Sequence, residues 1–397
     1  MFEKIYLHVG LPKTGTSYLQ SCFDALSRRH AFEHTSYPVL NSNEDFTRIQ
    51  SGNGETIAFQ LLEGLVPDFS AENIARHVQT LIDAADSSKP NLLISSEHFS
   101  NAAPLRLAFL LELLGKKAKS VEIIVFARPM DRLCQSWYHQ EVKRHSQYGG
   151  YDEAFFNAFS EFLLSQVFLI GSLPNKVHVF EYSRTAVLGG LLDFFGEDPA
   201  LEESFSNQTV NRSLTEQEMD LLRSINAVFK SELLSTRISD RWIYAYPQAI
   251  STEARADRSR IFNVFQRVIF SNSARLSTVT CRELLVRLLP DDVLVPLHDE
   301  KSAVVRPLGE CVTAYADQAD LLRMAFEEIA TLMSFWEPLS MYIQKLMPTR
   351  DNFDPVHYLL LNRDVLSAGV DPLKHFKEFG RSEGRFTAYK TNSALLD

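Results

Sequence analysis

The first half of the chain alternates short apolar runs with longer stretches of helical period. Residues 5–9, Ile-Tyr-Leu-His-Val, read as a buried strand, and apolar positions spaced three and four apart over 16–28 predict the helix after it. Helical spacing returns over 55–65 and 71–85. A second strand is expected at 91–95, a helix at 104–114, a third strand at 121–127, a helix at 131–144, a fourth strand at 176–180, and a helix running into Phe194. Strands that are apolar throughout, separated by helix-length segments, predict an α/β fold: a parallel sheet with helices on both faces. Such sheets bind ligands beyond the carboxyl ends of their strands. Past about residue 211 the strands disappear, and 214–230, 256–270 and 316–346 are compatible with long helices. Three segments are expected: an α/β domain over 1–210, a mainly helical extension over 211–346, and a small helical module over 351–390.

Composition narrows the function. With 45% hydrophobic and 11% aromatic residues in 397, the chain can bury a substantial core. A formal charge of −10 argues against a general nucleic-acid binder but not against a local pocket of cations holding a polyanion. Cys22, Cys134, Cys281 and Cys311 stand alone, with no metal-ligand or redox spacing, so no metal is expected. Lone thiols, an N-terminus that runs straight into a strand, and the reading that no apolar run approaches membrane-spanning length lead to the expectation of a cytoplasmic protein without a membrane span.

The chemistry concentrates in the loop after the first strand, Gly10-Leu-Pro-Lys-Thr-Gly-Thr-Ser17. Backbone N–H groups where such a loop enters a helix can cradle an anion. Measured against the G-x-x-x-x-G-K-[ST] loop of nucleotide triphosphatases, both glycines fit, but Thr16 stands in the lysine's place and the cation has moved to Lys13. No apolar strand ends in an aspartate suited to magnesium. An ATP-dependent kinase using this loop is the rival enzyme, and Thr16 and the missing acidic metal site count against it. A non-catalytic nucleotide-fold protein serving polysaccharide assembly is the rival of another class.

Pro12-Lys13-Thr14-Gly15-Thr16-Ser17-Tyr18 resembles the 5′-phosphosulfate loop of sulfotransferases that use 3′-phosphoadenosine 5′-phosphosulfate (PAPS). Two later elements resemble the same family, in order. In Glu122-Ile-Ile-Val-Phe-Ala-Arg128 an arginine ends a strand and Ser136 follows eight residues on, the family's ligands for the 3′-phosphate. Val177-His-Val-Phe-Glu-Tyr182 ends a strand in a tyrosine and leads to Leu191-Leu-Asp-Phe-Phe-Gly196, as the family's late strand and helix do. The resemblance spans about residues 1–215. It implies a P-loop-like sulfotransferase fold and PAPS as sulfuryl donor, held by Pro12, Lys13, Thr14, Gly15, Thr16, Ser17, Arg128 and Ser136, with Tyr182 near the nucleotide and Tyr18 for stacking on adenine. Lys13 is the cation at the leaving phosphate. Glu97 and His98, at the end of the second strand, are both candidates for the base, with Glu44, Asp45 and Glu55 as earlier carboxylate counterparts. The family's Arg-Lys-Gly clamp is missing; Asn211-Arg212-Ser213-Leu214 stands as its substitute, with Arg212 reaching the 3′-phosphate, which leaves the closing lid in doubt.

The acceptor is expected to be a hydroxyl or amine, most simply of a carbohydrate. The stretch Trp137-Tyr-His-Gln-Glu-Val-Lys-Arg144 puts aromatic and polar groups after Ser136. The segment from Phe353 to Arg385, with Asn-x-Asp-Val, Gly-x-Asp-Pro-Leu, His-Phe and Gly-x-x-Glu-Gly-Arg, resembles a small module of bacterial proteins that build surface polysaccharides. That resemblance implies a carbohydrate acceptor and a docking role toward a glycan or a glycan-assembly protein. Tyr358, Leu359, Val365 and Phe376 are its expected core.

Overall fold

A computed structural model describes residues 1–40, 52–63, 69–150, 152–182, 187–205, 212–247, 264–265, 267–269, 271–272, 278–289, 305–335 and 346–391. Its elements run β1 (Phe2–Val9), α1 (Thr16–Arg28), β2 (Thr35–Ser36), α2 (Glu55–Leu61), α3 (Ala71–Asp83), β3 (Asn91–Ser96), α4 (Pro104–Gly115), β4 (Ala118–Ala127), α5 (Met130–Arg144), α6 (Glu153–Gly171), β5 (Val177–Glu181) and α7 (Val187–Phe195). Then follow α8 (Glu216–Phe229), α9 (Glu232–Ala245), α10 (Val279–Leu288), α11 (Leu308–Ala314), α12 (Ala319–Phe335), β6 (Leu346–Thr349), α13 (Pro355–Leu361), α14 (Arg363–Ala368), α15 (Pro372–His375) and β7 (Ala388–Thr391). A 3₁₀ turn, Glu97–Asn101, continues directly from β3.

Five strands form one parallel sheet in the order β2-β3-β1-β4-β5. β1 is central and both of its faces are buried: Ile5, Leu7 and Val9 on one side, Tyr6 and His8 on the other. On the second side Leu19, Cys22, Phe23 and Leu26 of α1 and Leu188, Leu191, Leu192 and Phe195 of α7 pack with Tyr6, Leu93, Ile124 and Phe126. Each such burial stabilises by roughly 1.5–3 kcal/mol relative to exposure. From β1 the chain fills one half of the sheet with β2 and β3, then crosses to the other half with β4 and β5. The order therefore reverses between β1 and β4, the switch point beyond which such sheets bind ligands.

The sheet, α1–α4, the first half of α5, α6, α7 and α10 fall in one compact unit: Met1–Trp137, Glu153–Asn211 and Ala256–Asp299. Tyr138–Asp152, Arg212–Arg255 and Glu300–Asp397 make the second. This grouping differs from three consecutive segments because α10, far along the chain, packs on α6, with the Cys281 thiol donating to the Val167 carbonyl at 3.6 Å. Most of the helix expected over 256–270, and the part of 316–346 beyond α12, lie outside the described residues.

Helix α6 was not expected from the sequence. Its Ala154–Gly171 stretch is apolar and long enough to cross a membrane by length and composition, yet 56% of it is buried inside the protein. Ser160, Glu161, Ser165 and Gln166 interrupt the apolar run, which is why it does not read as a continuous span. In the second unit, α9 and α12 are tied by Arg237–Glu328 at 2.6 Å, by Arg241 to Glu327 and Glu328, and by the Trp242 indole donating to the Leu321 carbonyl at 3.2 Å. The C-terminal segment packs as expected around Tyr358, Leu359 and Val365. Phe353 stacks on Phe376 at 4.9 Å, the Tyr358 hydroxyl meets His375 Nδ1 at 3.0 Å, and β6 and β7 pair antiparallel at its two ends.

Candidate active site

At the carboxyl end of β1 the loop turns twice through left-handed backbone, at Lys13 (φ 66°) and Gly15 (φ 78°). Thr14 ties the turn down by donating from Oγ1 to the Leu11 carbonyl at 2.7 Å. α1 starts at Thr16 with no side chain capping its first turn, so its leading N–H groups are of the kind that bind anions. The Thr16 hydroxyl is buried with no hydrogen-bond partner among the described residues. Pro12 and Ser17 are half-buried beside it.

Glycine is required at both ends of the loop. A Cβ on Gly10 would sit 2.7 Å from Thr16 Oγ1 and 3.3 Å from both Cα and Cβ of Glu97, while one on Gly15 would strike the Tyr182 ring at 2.4 Å. Those contacts identify the loop's neighbours as the end of β3 on one side and the end of β5 on the other. Arg128, at the end of β4, completes the rim. Its Nη1 donates to the Lys13 carbonyl at 3.2 Å and its guanidinium lies over the Tyr182 ring, 5.2 Å from the centroid. The Tyr182 N–H donates to the Ala127 carbonyl at 2.7 Å, extending the β4–β5 ladder and fixing the ring there.

Lys13, Gly15, Thr16, Glu97, Arg128 and Tyr182 are thus brought together from four strand ends around the β1–β4 switch point. Tyr18 rests half-buried on the core cluster between α1 and α7, and burial, with Cys22 alongside, pushes its phenol pKa well up. Ser136 is half-buried in the second turn of α5. The two candidate bases separate. Glu97 backs onto Gly10, whereas the His98 ring packs on Phe59 of α2 at 4.8 Å. Glu44 and Asp45 lie outside the described residues; Glu55 is in the first turn of α2.

Comparison with family models, with curated proteins and with solved structures finds no match for this chain. The site stands on its own geometry.

Arg212 was expected to reach the 3′-phosphate. It belongs to the second unit, where all five of its N–H donors are used: Nε to the Tyr246 carbonyl, Nη1 to the Ser213 carbonyl and Glu218, Nη2 to Glu218 and the Trp242 carbonyl, at 2.6–3.1 Å. No donor is left for a phosphate, which corrects the expectation placed on this residue. The stretch after Ser136 is also absorbed in packing. Trp137 lies among Phe155, Phe159 and Phe162 of α6, stacked on Phe162 at 4.9 Å. Within the second unit Tyr138 donates to the Gly149 carbonyl at 2.7 Å and Arg144 pairs with Asp240 at 2.6 Å. Among the described residues no three His, Cys, Asp or Glu side chains gather as metal ligands would.

Sequence reasoning overlooked a polar network beneath the loop. His8 Nδ1 and Gln20 Nε2 both meet the Ser95 hydroxyl, at 2.9 and 3.1 Å, and Asn53 Oδ1 accepts from the Ser95 N–H at 2.8 Å. Burial pulls the His8 pKa down to about 4, so the ring is neutral. The signal was in the sequence: a histidine inside an otherwise apolar strand, and a glutamine on the apolar side of α1.

Proposed function

We propose that this chain is a PAPS-dependent sulfotransferase of P-loop-like fold that moves the sulfuryl group onto a hydroxyl or amine, most simply of a carbohydrate. The observation that carries the reading is the Arg128–Lys13 contact at the β1–β4 switch point. One cation-bearing loop and one guanidinium share a rim there, the two positive groups that a ligand with two phosphate groups calls for. The uncapped first turn of α1 and the unpartnered Thr16 hydroxyl suit the 5′-phosphosulfate, and Arg128 with Ser136 suits the 3′-phosphate. The Tyr182 ring beneath Arg128 gives the nucleotide an apolar wall. The cytoplasmic setting, and docking to a glycan or glycan-assembly partner through the C-terminal segment, belong to the same proposal.

In the reaction Glu97 receives the acceptor's proton as the acceptor oxygen bonds to sulfur. The sulfur–oxygen bond to the 5′-phosphate breaks, its electron pair stays on the phosphate oxygen, and Lys13 with the α1 N–H groups neutralises that charge. Glu97 is preferred over His98 as base because its backbone abuts the loop while the imidazole is engaged with Phe59.

The test is titration of the full chain with 3′-phosphoadenosine 5′-phosphate, in parallel with ATP and magnesium. The bisphosphate should bind without metal, and Arg128→Ala should weaken it about 30- to 1000-fold, the worth of a lost bidentate charge-assisted contact. Magnesium-dependent ATP binding that matches or exceeds it would establish the kinase instead.

A further inference from the structure

The Ser95 hydroxyl is gripped from two elements at once, by His8 of β1 and Gln20 of α1, in a fully buried setting. The Gln20 amide donates to Ser95 Oγ, and the Ser95 hydroxyl and His8 Nδ1 share a second hydrogen bond whose donor is set by the imidazole tautomer. Ser95's main chain is held as well. Its N–H donates to Asn53 Oδ1 at 2.8 Å and its carbonyl accepts from the Gly54 N–H at 3.0 Å, while the Asn53 side chain also donates to the Leu93 carbonyl at 3.0 Å. Two residues further on is Glu97, which sits against Gly10 where there is no space for even a methyl group.

We infer that His8 and Gln20 are positioning residues for Glu97: acting through Ser95, they fix where β3 ends and so where the carboxylate stands relative to the loop. The inference rests on the proposed role of Glu97 as base. Its physical ground is that a carboxylate at the start of a short 3₁₀ turn inherits its place from the strand before it. An error of about 1 Å in such a group costs on the order of 100-fold in rate. The ties within the loop, Arg128 to the Lys13 carbonyl and Thr14 to the Leu11 carbonyl, are made without His8 or Gln20.

The experiment compares His8→Leu and His8→Asn in the full chain. Asparagine places a hydrogen-bonding group near the position of Nδ1; leucine fills the volume without one. Two quantities are read: the Kd for 3′-phosphoadenosine 5′-phosphate, and the single-turnover release of labelled sulfate from PAPS with water as acceptor, using Glu97→Gln for the floor. Expected are a 10- to 100-fold slower release in His8→Leu, a Kd within twofold of the parent, and a rate in His8→Asn within about threefold of it. Unchanged release in His8→Leu would overturn the inference, as would equal damage to rate and Kd or failure of asparagine to rescue. If Glu97→Gln releases sulfate as fast as the parent while bisphosphate binding is intact, the positioning role falls and the nucleotide site stands. If the parent does not bind the bisphosphate, both fall.

Discussion

Replacing Gly15 by alanine loads the loop in two ways that can be measured apart. The residue has φ 78°, where a Cβ costs roughly 1–2 kcal/mol. The new methyl would also stand 2.4 Å from Tyr182 Cε2, against 3.4 Å at the near edge of ordinary contact, so the ring must retreat by about 1 Å. Overpacking of that size costs roughly 1–3 kcal/mol. Gly15→Ala should therefore destabilise the first unit by about 2–5 kcal/mol. In a Tyr182→Ala background only the backbone part remains, about 1–2 kcal/mol. The assay is native-state hydrogen exchange at β1 and α1 amides in the parent, both single variants and the double variant, which reads this unit separately from the second. A favourable coupling of about 1–3 kcal/mol between the two substitutions is expected. Coupling near zero would refute the placement of Tyr182 against the loop, and an unchanged Gly15→Ala protein would refute the loop conformation itself.

Two further predictions concern stability. The Glu197 carboxylate accepts from three consecutive backbone N–H groups, Glu33 at 2.7 Å, His34 at 3.0 Å and Thr35 at 2.8 Å, in a site only 4% exposed. Glu197→Ala should cost about 2–4 kcal/mol and raise exchange chiefly at the β2 edge; loss confined to α7 would contradict this. His8 makes stability depend on pH. Between its unfolded value of 6.5 and about 4, the unfolded chain binds a proton that the buried ring refuses, so stability rises with pH across that window and is lost as pH falls through it. The worth is about 3 kcal/mol. Denaturant midpoints from pH 7 to 4 should fall more steeply in the parent than in His8→Asn, and parallel curves would refute a buried neutral imidazole.

The elements that build the rim were legible because each strand is apolar throughout and each helix keeps one stripe; the 16–28 helix begins and ends where its periodicity does. The pairing of Arg128 with the loop followed from order along the chain, since parallel strands put successive carboxyl ends on one edge. What stayed hidden depended on partners distant in sequence. Nothing local indicates that α10 belongs with the sheet, or that Trp137 is covered by α6. Arg212 misled because a guanidinium in a loop offers the same five donors to a phosphate or to the protein. The deciding clue was six residues on, where Thr215-Glu-Gln-Glu218 forms a capping box whose buried glutamate also takes the arginine. Glu97 and His98 were inseparable in sequence because adjacent residues of a tight turn diverge only when their neighbours are in place.

The hand that Arg128 lays on position 13 grasps a peptide oxygen, which every amino acid carries, rather than the ammonium that gives the loop its charge. Architecture and reactivity are thereby uncoupled at a single residue. A substitution that strips the lysine of its cation spares the fastening, and the turn survives as an intact but inert mould. Under the proposed function, one codon change at position 13 removes the sulfuryl chemistry and leaves the folded loop for other uses.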